Sequence, residues 1–217
     1  MTQIYIVRHC EALGNVLKIY QGITDMDITE QGKKQLEKLE EKFSDIHLDK
    51  VYSSPLIRTV KTAKAVRGSK EIEIIKEDGL IEIAGGIIEG KPFKECFEEI
   101  EGFYDLWYNH PEDLAVPEGE PMTAAYERIY DTVLNIAKEN KGKSIACATH
   151  GGVIRCLICK ILYNDIKKLK DVLVPINTAV TLLQIDDNEN INIKFFNDYS
   201  HLDDRLYVDI YNKGKLK

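Results

Sequence analysis

The feature that most constrains this chain is an alternation of short apolar strands with amphipathic helices. An apolar strand is predicted at residues 3 to 8, and a helix with Leu39 and Phe43 on its apolar face begins near Thr29. Another apolar strand is predicted at residues 144 to 148. Strands separated by helices are typical of a parallel sheet with helices on its faces. The sequence therefore predicts an α/β fold with a mostly parallel central sheet.

The middle of the first half adds another strand and helix. A short strand around residues 51 to 52 leads into Ser53, Ser54 and Pro55. Because proline tolerates the first helical position, this segment predicts a helix start, with Arg58 in the first turn. Residues 72 to 76 are predicted to form a further strand.

The second half is predicted to end in a hairpin. An apolar helix follows His150 and extends to Leu162. Residues 180 to 185 and 191 to 196 read as two strands, and the polar residues between them predict the turn that joins the strands.

The length of 217 residues and the 44% hydrophobic content predict a single domain, residues 1 to 217. Between about residues 85 and 121 the periodicity weakens into glycine, glutamate, aromatic and proline residues. We expect a helical insertion or lid here. Aromatic residues such as Trp107 are expected to pack on the main domain rather than form an aromatic binding site.

Composition limits the partners and the compartment. The net charge of −7 argues against a general role in binding nucleic acid or an anionic membrane. The sequence contains neither a secretory signal pattern nor an apolar run of transmembrane length. The five scattered cysteines are expected to be reduced thiols, as in a cytoplasmic protein. The oligomeric state is left open, with a homodimer as one option.

Cationic and imidazole side chains recur where predicted strands end. Arg8 and His9 end the first strand, Arg58 follows the second, and His150 with Gly151 follows the strand at 144 to 148. Since parallel strands end at the same edge of a sheet, these groups are expected to converge. Each one alone is more typical of a surface charge or a turn. Their recurrence at three strand ends instead predicts a pocket for an oxyanion such as a phosphoryl group.

These segments resemble the histidine phosphatase (phosphoglycerate mutase-like) superfamily, whose first strand ends in Arg-His-Gly. Further similar segments follow in the family's order: RHCEALGN from Arg8, Gln21 and Gly22, DITEQG from Asp27, YSSPLIRTVKTA from Tyr52, LIEIAGGIIEG from Leu80, PEGE from Pro117 and ATHGGVIR from Ala148. The resemblance covers most of the chain. It implies a three-layer α/β/α fold of the phosphoglycerate mutase-like type with a helical lid insertion.

The resemblance also implies an activity. It makes the chain a histidine acid-type phosphatase, a phosphoric monoester hydrolase for a small phosphorylated metabolite, with His9 as the nucleophile. Arg8, Arg58 and His150 would hold the phosphoryl oxygens and supply the charge that a metal ion supplies elsewhere, so no metal or other cofactor is expected. Further phosphate-binding residues implied by the resemblance are Asn15, Gln21, Gly22 and Gly151.

A leaving alkoxide needs a proton, and Glu82 matches the acid of the family. Apolar neighbours in the segment from Leu80 to Ile83 are expected to desolvate its carboxyl group and raise its pKa. Glu82 would later act as the base toward water. Glu89 and Glu11 are competing candidates for this role.

Two residues depart from the family pattern, because Cys10 stands in place of glycine and Ala12 in place of threonine. Cys10 beside cationic groups could have a thiol of lowered pKa, although an unreactive small residue is the favoured interpretation. A separate C-x-x-C at Cys156 and Cys159 raises a metal hypothesis. Without a second ligand pair at zinc spacing, buried structural thiols are favoured.

Substrate class divides the enzymatic hypotheses. Between residues 83 and 120, Lys91 and Lys94 are accompanied by ten acidic residues, which disfavours a polyanionic substrate and favours a phosphatase. A cofactor-dependent phosphoglycerate mutase is the first alternative. A catalytically weak phosphate-binding regulatory protein, motivated by Cys10 and Ala12, is the second.

Overall fold

A six-stranded sheet forms the centre of the protein in the computed structural model, which describes residues 1–203 and 205–206. The strands are β1 (Thr2–Arg8), β2 (Lys50–Ser53), β3 (Ile74–Lys76), β4 (Ser144–Thr149), β5 (Val180–Ile185) and β6 (Ile191–Asp198). Their order across the sheet is β3-β2-β4-β1-β5-β6. The neighbours β3, β2, β4 and β1 run parallel, whereas β5 is antiparallel to both β1 and β6. The predicted mostly parallel sheet is therefore confirmed.

Helices connect the strands. The α-helices are α1 (Leu13–Leu17), α2 (Glu30–Phe43), α3 (Ile57–Arg67), α4 (Phe93–Glu99), α5 (Phe103–Tyr108), α6 (Met122–Glu139) and α7 (Gly151–Tyr163). Short 3₁₀ helices lie at Asp78–Leu80, Gly86–Ile88, Pro111–Asp113 and Ile166–Asp171. Among the described residues, no helix combines the length and apolar character needed to cross a membrane.

Alternating side chains of the sheet build two hydrophobic cores. In β1, Ile4 and Ile6 join one core together with α6 and α7, whereas Val7 joins the other core with α2 and α3. Because successive strand residues point to opposite faces, both faces are covered by helices. This gives the three α/β/α layers that the resemblance implied.

Helix α2 shows how local sequence sets one element. Thr29 caps it, since its hydroxyl accepts a hydrogen bond from the Gly32 backbone N–H at 2.9 Å. Leu39 and Phe43, four residues apart on one helix face, are fully buried. The Phe43 ring also makes an edge contact with Tyr5 of β1, which fixes α2 against the sheet.

The 85–121 segment is helical, as predicted, and its aromatic side chains pack inward. Trp107 contacts Tyr20 and Phe93 at ring-centroid distances of 5.8 and 4.9 Å. Phe103 is 1% exposed and belongs to the core on the α6 and α7 face. The expected packing on the main domain is therefore confirmed.

Several predicted boundaries were wrong. The strand predicted at 72–76 is limited to Ile74–Lys76, and the strand predicted to end at residue 196 extends to Asp198. Helix α3 begins at Ile57 rather than at Pro55, although Arg58 does lie in its first turn. Helix α6, which fills the chain between the 85–121 segment and the strand beginning at Ser144, was not predicted.

Leu39→Ala should lower the free energy of unfolding by about 2 to 5 kcal/mol, since it leaves a cavity at a fully buried site. Leu162→Ala is the matched control, because Leu162 is 55% exposed and its truncation should change stability by no more than about 0.5 kcal/mol. Urea unfolding followed by the fluorescence of the single tryptophan, Trp107, measures both values. Equal losses in the two variants would contradict the assignment of Leu39 to the core.

Candidate active site

Strand ends bring four of the predicted site residues together at one edge of the sheet. Arg8 ends β1, and its Cα pairs with that of Thr149 at the end of β4. His150 follows as the N-cap of α7, and Arg58 is in the first turn of α3, after β2. The His9 and His150 ring centroids are 5.2 Å apart, and Arg58 Nε donates to His150 Nδ1 at 3.3 Å. Two arginines and two imidazoles therefore form one buried cluster.

His9 is oriented by its own backbone neighbourhood. Its Nδ1 lies 2.7 Å from the carbonyl oxygen of Cys10. Since a carbonyl oxygen only accepts, Nδ1 carries the proton of the neutral ring and Nε2 carries the lone pair. Asn177 Nδ2 donates to the His9 carbonyl at 2.9 Å and holds the backbone. Nε2 is therefore the ring nitrogen whose lone pair is available.

The surroundings of His9 keep its ring neutral. Burial lowers the pKa of His9 well below its ordinary value, and the positive charges of Arg58 and Arg8 lower it further. The hydrogen bond to Cys10 acts in the opposite direction as a smaller contribution. At neutral pH the ring therefore retains the lone pair that nucleophilic attack requires.

Arg58 is fully buried and enclosed by the loop at residues 21–24. Its Nη1 donates to the Thr24 carbonyl at 2.8 Å, and its Nη2 donates to the carbonyls of Gln21 and Gly22 at 3.0 and 2.9 Å. The carboxylate of Asp25 lies 3.9 Å from Nη1. Gly22, which was expected to bind phosphate, is absent from the described cavity lining and instead positions Arg58 through its carbonyl.

His150 is the opposite tautomer to His9. Its Nδ1 accepts from Arg58, so Nε2 carries the proton and donates to Ser54 Oγ at 2.8 Å. Burial lowers the pKa of His150 well below its ordinary value, followed by the charge of Arg58. Both imidazoles are thus neutral beside permanently charged guanidinium groups.

Glycine at position 151 lets Arg8 approach the start of α7. A Cβ atom there would lie 3.2 Å from Arg8 Nε and 3.0 Å from Val174 Cγ1. Arg8 is 4% exposed, and its Nη1 donates to the Pro175 carbonyl. The first residue of α7 therefore has to be small for Arg8 to keep this position.

The carboxylate of Glu82 lies at the N-terminus of α7. It accepts from the backbone N–H groups of Gly152 at 2.9 Å, Val153 at 3.1 Å and Ile83 at 3.0 Å. The first N–H groups of a helix have no partner within the helix, so these bonds fix the position of the carboxyl group. Glu82 lines the same cavity as His9, so the predicted proton donor and nucleophile share one space.

The two competing acids serve other contacts. Glu11 accepts from the Thr29 hydroxyl at 2.5 Å, at the start of α2. Glu89 accepts from the backbone N–H of Gly85 at 2.7 Å and from the hydroxyl of Thr24 at 2.6 Å. Neither residue is part of the cavity lining over the described ranges. Through these bonds Glu89 connects the loop at residues 21–24, which encloses Arg58, to the 85–121 segment.

A cavity of about 100 Å³ opens beside His9. Its polar lining consists of Arg8, His9, Asn15, Gln21, Glu82 and Arg155. Its apolar lining includes Ile19, Tyr20, Phe93, Trp107, Leu114, Met122 and Val174. Phe93 and Trp107 come from the 85–121 segment, which therefore covers part of the cavity. Arg58 and His150 are fully buried and are not among the residues that line this cavity.

Asn15 and Gln21 were both expected in the pocket, and both line the cavity. Asn15 Oδ1 accepts from the Ala12 backbone N–H at 2.9 Å, which orients the amide. Gln21 Oε1 is buried without a hydrogen-bond donor among the residues that the structure describes. The amide of Gln21 therefore has an acceptor that a substrate donor could satisfy.

The two departures from the family pattern are buried. Cys10 is fully buried, and its backbone N–H donates to Thr62 Oγ1 at 3.1 Å. Burial raises the pKa of the Cys10 thiol to about 12, which supports the unreactive small residue rather than an oxidisable thiolate. Ala12 is also fully buried, and its backbone retains the contact to Asn15.

The C-x-x-C pair is part of the apolar core. Cys156 Sγ contacts Met122 Sδ at 3.6 Å, and Cys159 Sγ donates to the Asp165 carbonyl at 3.4 Å. Burial raises the pKa of both thiols, that of Cys159 to about 11, and this disfavours the thiolate that a zinc ligand must be. All five cysteines are free and buried.

Sequence reasoning missed three residues that position or line the site. Arg155 lines the cavity, Ser54 bonds His150, and Asn177 bonds the His9 backbone. Arg155 and Ser54 lie inside segments that carried the family resemblance, so a signal was present. Asn177 had none, because its contact joins residues 168 positions apart in sequence.

The fold and this geometry can be compared with known proteins. The family described as "Histidine phosphatase superfamily (branch 1)" matches residues 4–198. Phosphoserine phosphatase 1 of Hydrogenobacter thermophilus is 30% identical over 211 residues, which cover 97% of this chain and 99% of that protein. Because the alignment covers most of both chains, the similarity extends well beyond the segments at the strand ends.

Two solved structures have the same architecture. Bacillus stearothermophilus YhfR superimposes with a TM-score of 0.88 at 27% identity, covering 93% of this chain and 99% of that one. A mutant phosphoserine phosphatase from Entamoeba histolytica, in complex with phosphoserine, gives 0.81 at 26% identity and covers 93% and 100% of the two chains. The predicted fold type is thereby confirmed.

Nitrogen NMR of the histidine side chains should show His9 protonated at Nδ1 and His150 at Nε2, because their acceptors differ. Both rings should stay neutral at about pH 6.5, where an unperturbed imidazole is half protonated, since burial and the arginine charges lower both pKa values. Single His9→Gln and His150→Gln variants assign the signals. An imidazolium signal from either ring near pH 7, or the same tautomer in both, would contradict the arrangement.

Proposed function

Because this chain belongs to the histidine phosphatase superfamily (branch 1), we propose that it hydrolyses a small phosphomonoester through a phosphohistidine intermediate. The observation that carries the proposal is His9, a buried neutral imidazole whose Nδ1 is engaged by Cys10 and whose ring borders the cavity. In this proposal the phosphoryl oxygens are held by Arg8, which also lines the cavity, and by the buried pair Arg58 and His150, which lies beside His9.

In the first proposed step, His9 Nε2 attacks phosphorus and forms a P–N bond while the P–O ester bond breaks. The leaving alkoxide takes a proton from the carboxyl group of Glu82. In the second step, water attacks the phosphohistidine, Glu82 accepts the proton of the water, and the P–N bond breaks. Phosphate leaves, and both side chains return to their starting protonation states. Splitting the reaction replaces one difficult step with two easier ones.

Positive charge in the cluster supports this proposal. The phosphoryl group carries its charge on three equatorial oxygens during transfer, and fixed guanidinium groups in a buried site stabilise that charge strongly. The resemblance also gives His150 a contact with the phosphoryl oxygens. We therefore infer a metal-independent enzyme of the histidine acid-type, with no other cofactor.

The substrate is proposed to be a small metabolite. The cavity of about 100 Å³ has apolar walls and is partly covered by the 85–121 segment. Lys91 and Lys94, the two lysines of that segment, form ion pairs with Glu99 and Glu98 at 3.4 and 3.7 Å. An acidic segment whose lysines are already paired suits a monophosphorylated substrate better than the bisphosphate that a mutase must bind.

The site geometry also weighs against a weak binding protein. The proposed nucleophile and acid are both present, and the substitutions at Cys10 and Ala12 leave the contacts of Thr62 and Asn15 in place. A reducing, cytoplasmic location is proposed from the five free thiols, and the net charge of −7 supports no role with nucleic acid.

His9→Ala should lower kcat/KM for para-nitrophenyl phosphate by at least about a thousandfold, because it removes the nucleophile. His47→Ala is the matched control, because the His47 side chain is 82% exposed, and its activity should equal that of the parent chain. Hydrolysis by the parent chain should continue in excess EDTA.

Full activity in His9→Ala would overturn the proposed nucleophile, and loss of activity in EDTA would overturn metal independence. Phosphoglycerate isomerisation that depends on a bisphosphoglycerate, without comparable hydrolysis, would favour the mutase. A folded chain with neither activity would favour the phosphate-binding regulatory protein.

A further inference from the structure

Arg155 is a second cationic group in the cavity, separate from the cluster around His9. It lies on α7 and is held by Nε, which donates to the carbonyls of Leu169 at 2.9 Å and Val172 at 3.0 Å. These bonds fix the guanidinium plane while the group lines the cavity. The proposed phosphoryl-transfer steps make no use of this residue.

The charge of Arg155 is uncompensated by the described protein. Within residues 1–203 and 205–206, no carboxylate lies within 4.0 Å of its guanidinium, and no protein acceptor binds Nη1 or Nη2. Asp171 acts on it only as a more distant charge, and burial lowers its pKa. Arg155 is half-buried, and cations that are removed from water are usually paired with an anion. The two terminal nitrogens are therefore suited to an anionic ligand in the cavity.

The position of Arg155 on α7 sets its distance from the phosphoryl site. It follows Gly151, which lies against the Arg8 side chain, by four residues and lies on the same helix face. Four residues correspond to about 6 Å along the helix axis. The cavity therefore offers two cationic points that one small molecule can span, with apolar side chains such as Met122 and Leu114 in its wall.

We propose that Arg155 binds a carboxylate of the substrate while the His9 cluster holds its phosphoryl group. A carboxylate matches the two terminal N–H groups of a guanidinium in a bidentate arrangement, and Arg155 adds one positive charge for one negative charge. The substrate class is then a phosphomonoester that carries a carboxylate a few bonds from the ester oxygen. This inference rests on the proposed function, since it assumes that the phosphoryl group lies beside His9.

Two pairs of phosphomonoesters that differ in the carboxylate test the inference: O-phospho-L-serine with O-phosphoethanolamine, and 3-phosphoglycerate with glycerol 3-phosphate. The parent chain should favour the carboxylate in at least one pair. In Arg155→Gln the ratio of kcat/KM within that pair should fall roughly 10- to 100-fold, because a charge-assisted interaction is lost. Arg155→Lys should restore part of the ratio, since it keeps the charge without the planar fork.

The ratio of kcat/KM within a pair separates loss of carboxylate binding from structural damage. Loss of the Arg155 bonds to Leu169 and Val172 would lower kcat/KM equally for both compounds of a pair. Arg67→Gln is the control for loss of an arginine outside the cavity, and the ratio should not change. Unchanged ratios in Arg155→Gln, or a parent chain with no preference in either pair, would overturn the inference.

Calorimetric binding of the same four compounds keeps the two proposals distinguishable. If the parent chain binds but does not hydrolyse them, the proposed function fails, while a carboxylate preference that Arg155→Gln abolishes still supports this inference. If the parent chain hydrolyses the compounds but neither hydrolysis nor binding depends on the carboxylate, the inference fails and the proposed function stands.

Discussion

The buried guanidinium of Arg58 is the constraint on which the geometry of the site depends. Its N–H groups bond three carbonyls of the loop at residues 21–24 and Nδ1 of His150, so one side chain joins that loop to the end of β4. Burial lowers the pKa values of His9 and His150 most, and the charge of Arg58 lowers them further. Burial and a permanently charged neighbour together keep the imidazole of His9 neutral inside a positive pocket.

Much of the fold could be predicted from the sequence, because strand and helix periodicity are local. The apolar run of β1 and the Thr29 cap of α2 were visible in the residues themselves. The convergence of Arg8, Arg58 and His150 also followed from one topological rule, that parallel strands end at the same edge. Helix α6 was not predicted, although its buried residues repeat at helical spacing and this signal is local.

Details of the site depend on contacts that the sequence does not express. Gly22 lies in a family-like segment, but only the structure shows that its carbonyl faces Arg58. The hydrogen bond from Asn177 to His9 and the partners of Glu89 join distant segments. The tautomer of each imidazole depends on one hydrogen-bond partner of its Nδ1 atom. The spacing of residues in the sequence does not predict these partners.

The central claim is that His9 carries the phosphoryl group, and trapping the intermediate tests it most directly. Rapid acid-free quenching during turnover of para-nitrophenyl phosphate, followed by mass spectrometry of proteolytic peptides, should find one phosphoryl group on His9. Because the nitrophenolate leaves without a proton from Glu82, Glu82→Gln should increase the amount of phosphorylated His9 by slowing attack by water. The modification should be absent in His9→Ala. Turnover without a phosphorylated His9 peptide, or with the phosphoryl group on Cys10 or His150 instead, would contradict the account.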